Sequence, residues 1–131
     1  VPVTDEDRGL DRNAGKRVLV HSGKVHWDLR SELEKNPNPE VALVRLEQLY
    51  PTPIDELKAV TDSYPNAELV WVQEEPENQG AWPFLALAFA EVPGDREFRD
   101  VSRAASASPA TGSSKVHAIE QADLIRRAVT L

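Results

Sequence analysis

The chain has 131 residues, enough for one hydrophobic core and too few for two. Its 22 acidic and 15 basic side chains leave a formal charge of −7, which excludes the basic stripe of a nucleic-acid surface and disfavours an anionic membrane surface. There is no cysteine, so disulfides and thiolate metal sites are excluded, and no apolar run reaches transmembrane length.

Residues 1–15 read as a linker arm. Asp5, Glu6, Asp7, Arg8, Asp11 and Arg12 alternate in sign, and Gly9 and Gly15 break any helix. The chain begins with Val1 and contains no methionine, so we expect a piece of a longer polypeptide. From residue 16 to 131 a regular alternation predicts a single α/β domain.

Arg17-Val18-Leu19-Val20-His21 is a short, β-branched apolar run and predicts a buried strand. Ser22-Gly23-Lys24 turns it into a helix over Val25 to Lys35, which Asn36-Pro37-Asn38-Pro39 stops. Val41 to Leu46 predicts the second strand. Thr52, Pro53 and Asp55 then resemble a capped helix start, with Ile54, Leu57 and Val60 on one face.

Leu69 to Val72 predicts the third strand. It runs into Gln73-Glu74-Glu75-Pro76-Glu77-Asn78-Gln79-Gly80-Ala81-Trp82, a turn too rich in carboxylates, amides and aromatic surface for a mere connector. An apolar helix follows from Trp82 to Val92, with Trp82, Leu85, Ala86 and Phe89 on one stripe. Phe98 to Val101 reads as a fourth strand, and 104–114 as an Ala/Ser/Pro-rich loop. A last helix starts near Ser114, capped by Ser113 or Ser114, with Val116, Ile119, Ala122 and Ile125 on its inner face.

This β-α-β-α-β-α-β-α order predicts a three-layer, Rossmann-like open sheet, mostly parallel, whose ligands approach the carboxyl ends of the strands. Ser22-Gly23-Lys24 and Glu74-Glu75 both fall there. Ser22 and Lys24 could hold a phosphate or carboxylate at the helix start, against the reading of an ordinary tight turn with an exposed lysine, which we favour. Glu74 and Glu75 could act as acid and base, but neighbours on a strand point to opposite faces, so a structural role in a cap or interface is favoured. Arg103, Ser106, Lys115 and His117 bracket a hydroxyl-rich loop opening onto a helix N-terminus, and the readings as an anion site and as a capped loop are balanced. His21, His26 and His117 lack metal-ligand spacing, and neither a dinucleotide fingerprint nor a Walker pattern occurs.

Four segments in order carry a resemblance: Ser22-Gly23-Lys24-Val25-His26-Trp27-Asp28-Leu29, then Val44-Arg45-Leu46-Glu47-Gln48-Leu49-Tyr50-Pro51, then Trp71 to Trp82, then Ser106 to Gly112 with His117, Glu120 and Gln121. Together they span nearly all of residues 17–127. The chain resembles the C-terminal, transketolase-like third domain of the thiamine-diphosphate-dependent E1 component of 2-oxoglutarate dehydrogenase. It departs from that family at His26-Trp27, where a tyrosine pair is usual.

The resemblance implies a parent enzyme of the tricarboxylic acid cycle that decarboxylates 2-oxoglutarate oxidatively. It implies succinyl transfer to the lipoyl group of E2, the dihydrolipoyl succinyltransferase, within a multienzyme complex. Thiamine diphosphate and magnesium are then expected outside this chain, on the preceding E1 domains, with a homodimer mate beside it. On its own the chain should be inactive, contributing no catalytic residue and no metal ligand. Glu74, Glu75, Asn78, Gly80 and Trp82 are then expected to fix a turn and an interface. Acetyl-CoA is an expected effector by analogy with actinobacterial relatives, and Ser22, Lys24, Arg103, Ser106, Lys115 and His117 are the candidates to meet its anionic groups. The implied location is the bacterial cytoplasm, or the mitochondrial matrix for a eukaryotic protein. The alternatives are a free-standing ligand-binding module of the same fold, or the same domain of an E1 for another 2-oxo acid.

Overall fold

The computed structural model describes residues 3–6, 11–90, 96–103 and 114–131. Five strands form one sheet: β1 (Val3–Glu6), β2 (Arg17–His21), β3 (Val41–Leu46), β4 (Glu68–Pro76) and β5 (Phe98–Arg103). Four helices accompany them: α1 (Val25–Lys35), α2 (Ile54–Asp62), α3 (Trp82–Ala90) and α4 (Ser114–Val129). The strand order is β1-β3-β2-β4-β5. All pairings are parallel except β1 with β3.

The period-two alternation of the central strands sorts their side chains into two cores. Val18, Val20, Ala42, Val44, Leu69 and Trp71 face one way and meet Leu57 of α2 and Leu85 of α3. Leu19, Leu43, Val70 and Val72 face the other way and meet Val25, Leu29 and Leu33 of α1 with Leu124, Ile125 and Ala128 of α4. Both faces of the sheet are therefore covered, which is why the strands read as unbroken apolar runs. Chain order moves outward from β2 to β3, then back across β2 to β4. The switch point of the sheet thus lies between β2 and β4, whose carboxyl ends carry Ser22-Gly23-Lys24 and Glu74-Glu75.

The segment expected to be a linker arm supplies an edge strand. Val3 pairs opposite Leu46 and is buried in the first core. Tyr64 donates to Asp5 at 2.9 Å, and Arg12 pairs with Asp5 at 2.6 Å while stacking on the Tyr64 ring. Two of the charges that suggested an arm, Asp5 and Arg12, help to pin this strand.

Two arginines close helix and turn ends. Arg17, buried at the start of β2, donates from Nη1 to the carbonyls of Arg127, Ala128 and Thr130 at 3.0, 2.9 and 2.8 Å. These are the orphan acceptors of the α4 C-terminus, where a cation is also favoured by the helix dipole. Arg96 does the same for the end of α2, donating to the carbonyls of Thr61, Tyr64 and Ala67.

Two helix expectations need correction. Thr52 does not cap α2: its hydroxyl turns back to the Leu49 carbonyl at 2.8 Å, and Pro53 occupies the cap position without a side-chain bond. In α4 the buried residues are Leu124, Ile125 and Ala128, whereas Ile119 is 61% exposed and Val116 and Ala122 are exposed too. Of the expected stripe Ile125 is buried as expected, and the buried residues of α4 all lie in its second half. Ser114 is the first residue of α4, while Ser113 lies outside the described residues.

Candidate functional site

A crevice of about 560 Å³ opens at the switch point. Ser22, Gly23, Lys24 and Val25 line one side, Trp71 to Glu75 with Gly80 and Ala81 another, and Leu49, Tyr50 and Phe84 complete it. The sequence-derived candidates Ser22, Lys24, Glu74, Glu75 and Gly80 are thus brought together. Strand alternation had argued against Glu74 and Glu75 sharing one face, and their partners agree: Glu74 accepts from Gln121 of α4 on one side of the sheet, while Glu75 lies against Gly80 on the side of Gln73 and α3, although both residues line the crevice.

The residue that builds the crevice wall is Gln73, which sequence reasoning assigned no role. Its side chain is almost fully buried. Oε1 accepts from the Trp71 indole at 2.9 Å and from the backbone N–H of Trp82 at 3.0 Å. Nε2 donates to the carbonyls of Pro76 and Gln79 at 2.8 Å each, and to that of Glu75 at 3.3 Å. One amide therefore ties strand β4, the turn and the first N–H of α3 into a unit. An amide suits this place because it offers an acceptor and two donors from one planar group. The available signal was a lone glutamine directly after a buried apolar run, where a polar side chain must find partners.

Gly80 sits at φ 66°, in the left-handed region, and a Cβ there would lie 3.1 Å from Gln73 Oε1 and 3.1 Å from Glu75 Cβ and Cδ. Gly23, at φ 77°, has nothing within 4 Å of such a Cβ. Gly23→Ala should therefore cost about 1 kcal/mol, the backbone term alone. Gly80→Ala should cost about 2–3 kcal/mol, because steric displacement of the Gln73 network adds to the same backbone term. Urea unfolding of the two variants measures the difference, and equal midpoints would contradict this account.

Trp82 packs its ring edge-on against Phe98 at 5.3 Å and so anchors α3 to β5. Asn78 is exposed and does not line the crevice. Arg103 is already engaged: it pairs with Glu120 at 2.9 Å and donates to Gln121 Oε1. Gln121 in turn donates from Nε2 to Glu74 and to Asp28, both at 2.8 Å. This chain of bonds links β5, α4, the carboxyl end of β4 and α1. Lys115 and His117 lie in the exposed first turns of α4, and Ser106 lies outside the described residues. Arg103 is thus held in an internal ion pair, while Lys115 is exposed at the start of α4.

Behind the Ser22 turn lies a buried pair of histidines. His21 Nδ1 is 2.9 Å from the Leu19 carbonyl and His21 Nε2 is 2.7 Å from His26 Nδ1. A carbonyl only accepts, so His21 Nδ1 carries the proton; the neutral ring then accepts at Nε2 from His26 Nδ1–H. Burial lowers the His21 pKa to about 3, with the nearby His26 and Arg45 acting in the same direction and the Leu19 bond opposing them. Among the described residues no group of three or more His, Cys, Asp or Glu side chains is placed to hold a metal ion.

An open sheet wound both ways from β2, with a crevice at its switch point and a strand-to-helix turn braced by a buried amide, defines a doubly wound α/β domain. Such a fold hosts many functions and does not by itself choose among them. The family described as 2-oxoglutarate dehydrogenase C-terminal matches residues 2–129, and the chain belongs to it. It is 47% identical over 130 residues to the multifunctional 2-oxoglutarate metabolism enzyme of Mycolicibacterium vanbaalenii, covering 97% of this chain and 10% of that protein. It is 45% identical over 128 residues to enzymes of the same description from Mycobacterium sp. strains JLS and KMS, covering 95% of this chain and 10% of each. The chain thus spans about a tenth of the length of these curated relatives.

Proposed function

We propose that the chain serves as the C-terminal domain of a thiamine-diphosphate-dependent 2-oxoglutarate dehydrogenase E1, contributing assembly rather than bond-breaking chemistry. The observation that carries this reading is the match at 45–47% identity over nearly the whole chain to a tenth of much longer 2-oxoglutarate enzymes. The titratable side chains at the crevice are Lys24, Tyr50, Glu74 and Glu75, and Glu74 already accepts a hydrogen bond from Gln121. No catalytic step is assigned to them. Thiamine diphosphate and magnesium belong on other domains of the parent enzyme in this reading, and the homodimer mate and E2 are its partners. Acetyl-CoA remains a candidate effector, to be met by the exposed Lys24, Lys115 and His117 rather than by the paired Arg103.

Calorimetric titration of residues 1–131 with thiamine diphosphate and Mg²⁺ should give no binding heat. The longer polypeptide should bind both and release CO₂ from 2-oxoglutarate. Micromolar cofactor binding to the 131-residue chain would overturn the division of labour, and a longer polypeptide inert toward 2-oxoglutarate would overturn the parent activity.

A further inference from the structure

A hydrogen bond between two buried imidazoles joins β2 to α1. His21 is the last residue of β2, His26 lies in the first turn of α1, and both are fully buried. Their ring centroids are 5.0 Å apart and the rings nearly parallel, at 15°. His21 is engaged at both nitrogens: Nδ1–H donates to Leu19 of its own strand, and Nε2 accepts from His26 Nδ1–H at 2.7 Å. Between the two residues runs Ser22-Gly23-Lys24, the turn that walls the crevice. Lys24 holds the cap position of α1 without a side-chain bond. The backbone bonds from His26 to Gly23 and from Trp27 to Lys24, at 3.2 and 3.1 Å, close the turn on itself and not on the sheet. Alongside Val25, which packs into the second core, the imidazole bond is what ties this turn to β2.

The bond lasts only while His21 Nε2 keeps its lone pair. A proton there sets two N–H groups face to face across 2.7 Å. A proton on the other nitrogen of His26 keeps the bond but leaves a cation in the interior. The charged groups on the surrounding elements do not offset it. Arg45 of β3 stands opposite His21 in the register and acts against a proton, and its own carboxylate neighbour, Glu47, is 3.9 Å away. β4 sets the apolar Val72 opposite His21. The carboxylates of Glu74 in β4 and Asp28 in α1 are both held by Gln121 of α4, Glu120 of α4 is paired with Arg103 of β5, and Lys24 adds a positive charge to the turn. We propose that the His21–His26 pair is a proton-sensitive latch on the crevice. Neutral, it fastens the first turn of α1 to β2 and holds the Ser22–Lys24 wall against the sheet. Protonated, it releases that turn while the strands stay paired, so acid opens the crevice wall.

The test is hydrogen exchange of the full-length enzyme, read by mass spectrometry at pH 7 and pH 5, with labelling times scaled to the intrinsic rate at each pH. Amide protection in a peptide covering Ser22 to Leu29 should fall about 25-fold between the two pH values. That is the linkage expected of one histidine that titrates at 6.5 when released and refuses the proton when held. A peptide covering Leu69 to Val72 of β4 should stay more protected than the turn at both pH values, because the turn opens without the sheet. His21→Gln with His26→Asn places an amide acceptor and an amide donor near the same two positions and leaves nothing to titrate. In that double variant the change at the turn should shrink to within about threefold. A change below about fivefold in the wild type, or equal protection of the turn and β4 at both pH values, would overturn the latch. So would a double variant that keeps the wild-type change. The first two outcomes need no variant, so the proposal stays testable even if the double substitution prevents folding.

Discussion

Replacing Gln73 by alanine should lower folding stability by about 4 kcal/mol, the largest effect expected of any single substitution at the crevice. The side chain makes five hydrogen bonds, and its loss strands partners that cannot all find water. The Trp71 indole N–H is buried beneath the sheet, and the Trp82 N–H begins α3. Each unsatisfied buried donor costs about 1–3 kcal/mol. The carbonyls of Pro76 and Gln79 lie in an exposed turn and are rehydrated at smaller cost. Gln73→Glu should be no milder, since a carboxylate has nothing to donate to three carbonyls. Urea denaturation followed by tryptophan emission measures both variants. A loss below about 1 kcal/mol for Gln73→Ala would mean that the turn holds itself, because that is the net worth of one ordinary bond.

Acid should destabilise the domain before its carboxylates titrate. The His21 pKa is about 3 in the folded chain against 6.5 for the free group. Above pH 6.5 the ring is neutral in both states and contributes no pH dependence. Below it the unfolded chain takes up a proton that the folded chain refuses, so stability falls as pH falls, down to the folded value near 3. The loss is about 2 kcal/mol between pH 7 and pH 5, and about 3 kcal/mol by pH 4. The carboxylates held low by their arginine neighbours, such as Asp123 beside Arg126 and Arg127, add to the loss only as pH falls toward 3.8 and below, in the lower part of this window. Urea midpoints at pH 7, 6 and 5 read the slope directly. His21→Asn should flatten it, whatever its own effect on stability at pH 7, and a slope equal to wild type would show that His21 opens to water.

The behaviour of His21 and Gln73 marks the limit of what one-dimensional reasoning reaches. Apolar runs sufficed for β2, β3 and the Leu69–Val72 stretch of β4, because a strand covered on both faces is mostly apolar, but β4 continues to Pro76, into what read as the turn. The proline and glycine punctuation sufficed for α1, which spans Val25–Lys35 as expected. The same logic brought Ser22, Lys24, Glu74 and Glu75 to one end of the sheet. Local pattern failed where partners came from far along the chain. β1 looked like a charged arm because Asp5 finds Tyr64 and Arg12 only in three dimensions. Val116 and Ile119 looked like core because their helical spacing matches that of Ile125, yet they are 42% and 61% exposed. Thr52 looked like a cap, yet its hydroxyl donates to the Leu49 carbonyl and Pro53 takes the cap position.

The strand-to-helix turn divides the two kinds of information most clearly. Its residues mark the family without any structure, since their types and order are written in the chain. What each of them does was decided by tertiary structure alone. Arg103 could serve an anion or an internal partner, and the fold gives it Glu120 and Gln121 of α4 as internal partners. Glu74 and Glu75 could diverge or converge, and the fold gives Glu74 to Gln121 of α4 and Glu75 to the Gly80 turn, although both residues line the crevice. Gln73 became the centre of the site because a buried amide takes its partners from wherever the fold places carbonyls and N–H groups. Hydrogen bonds and packing act over ångströms of space, and the chain specifies those distances only once it has folded.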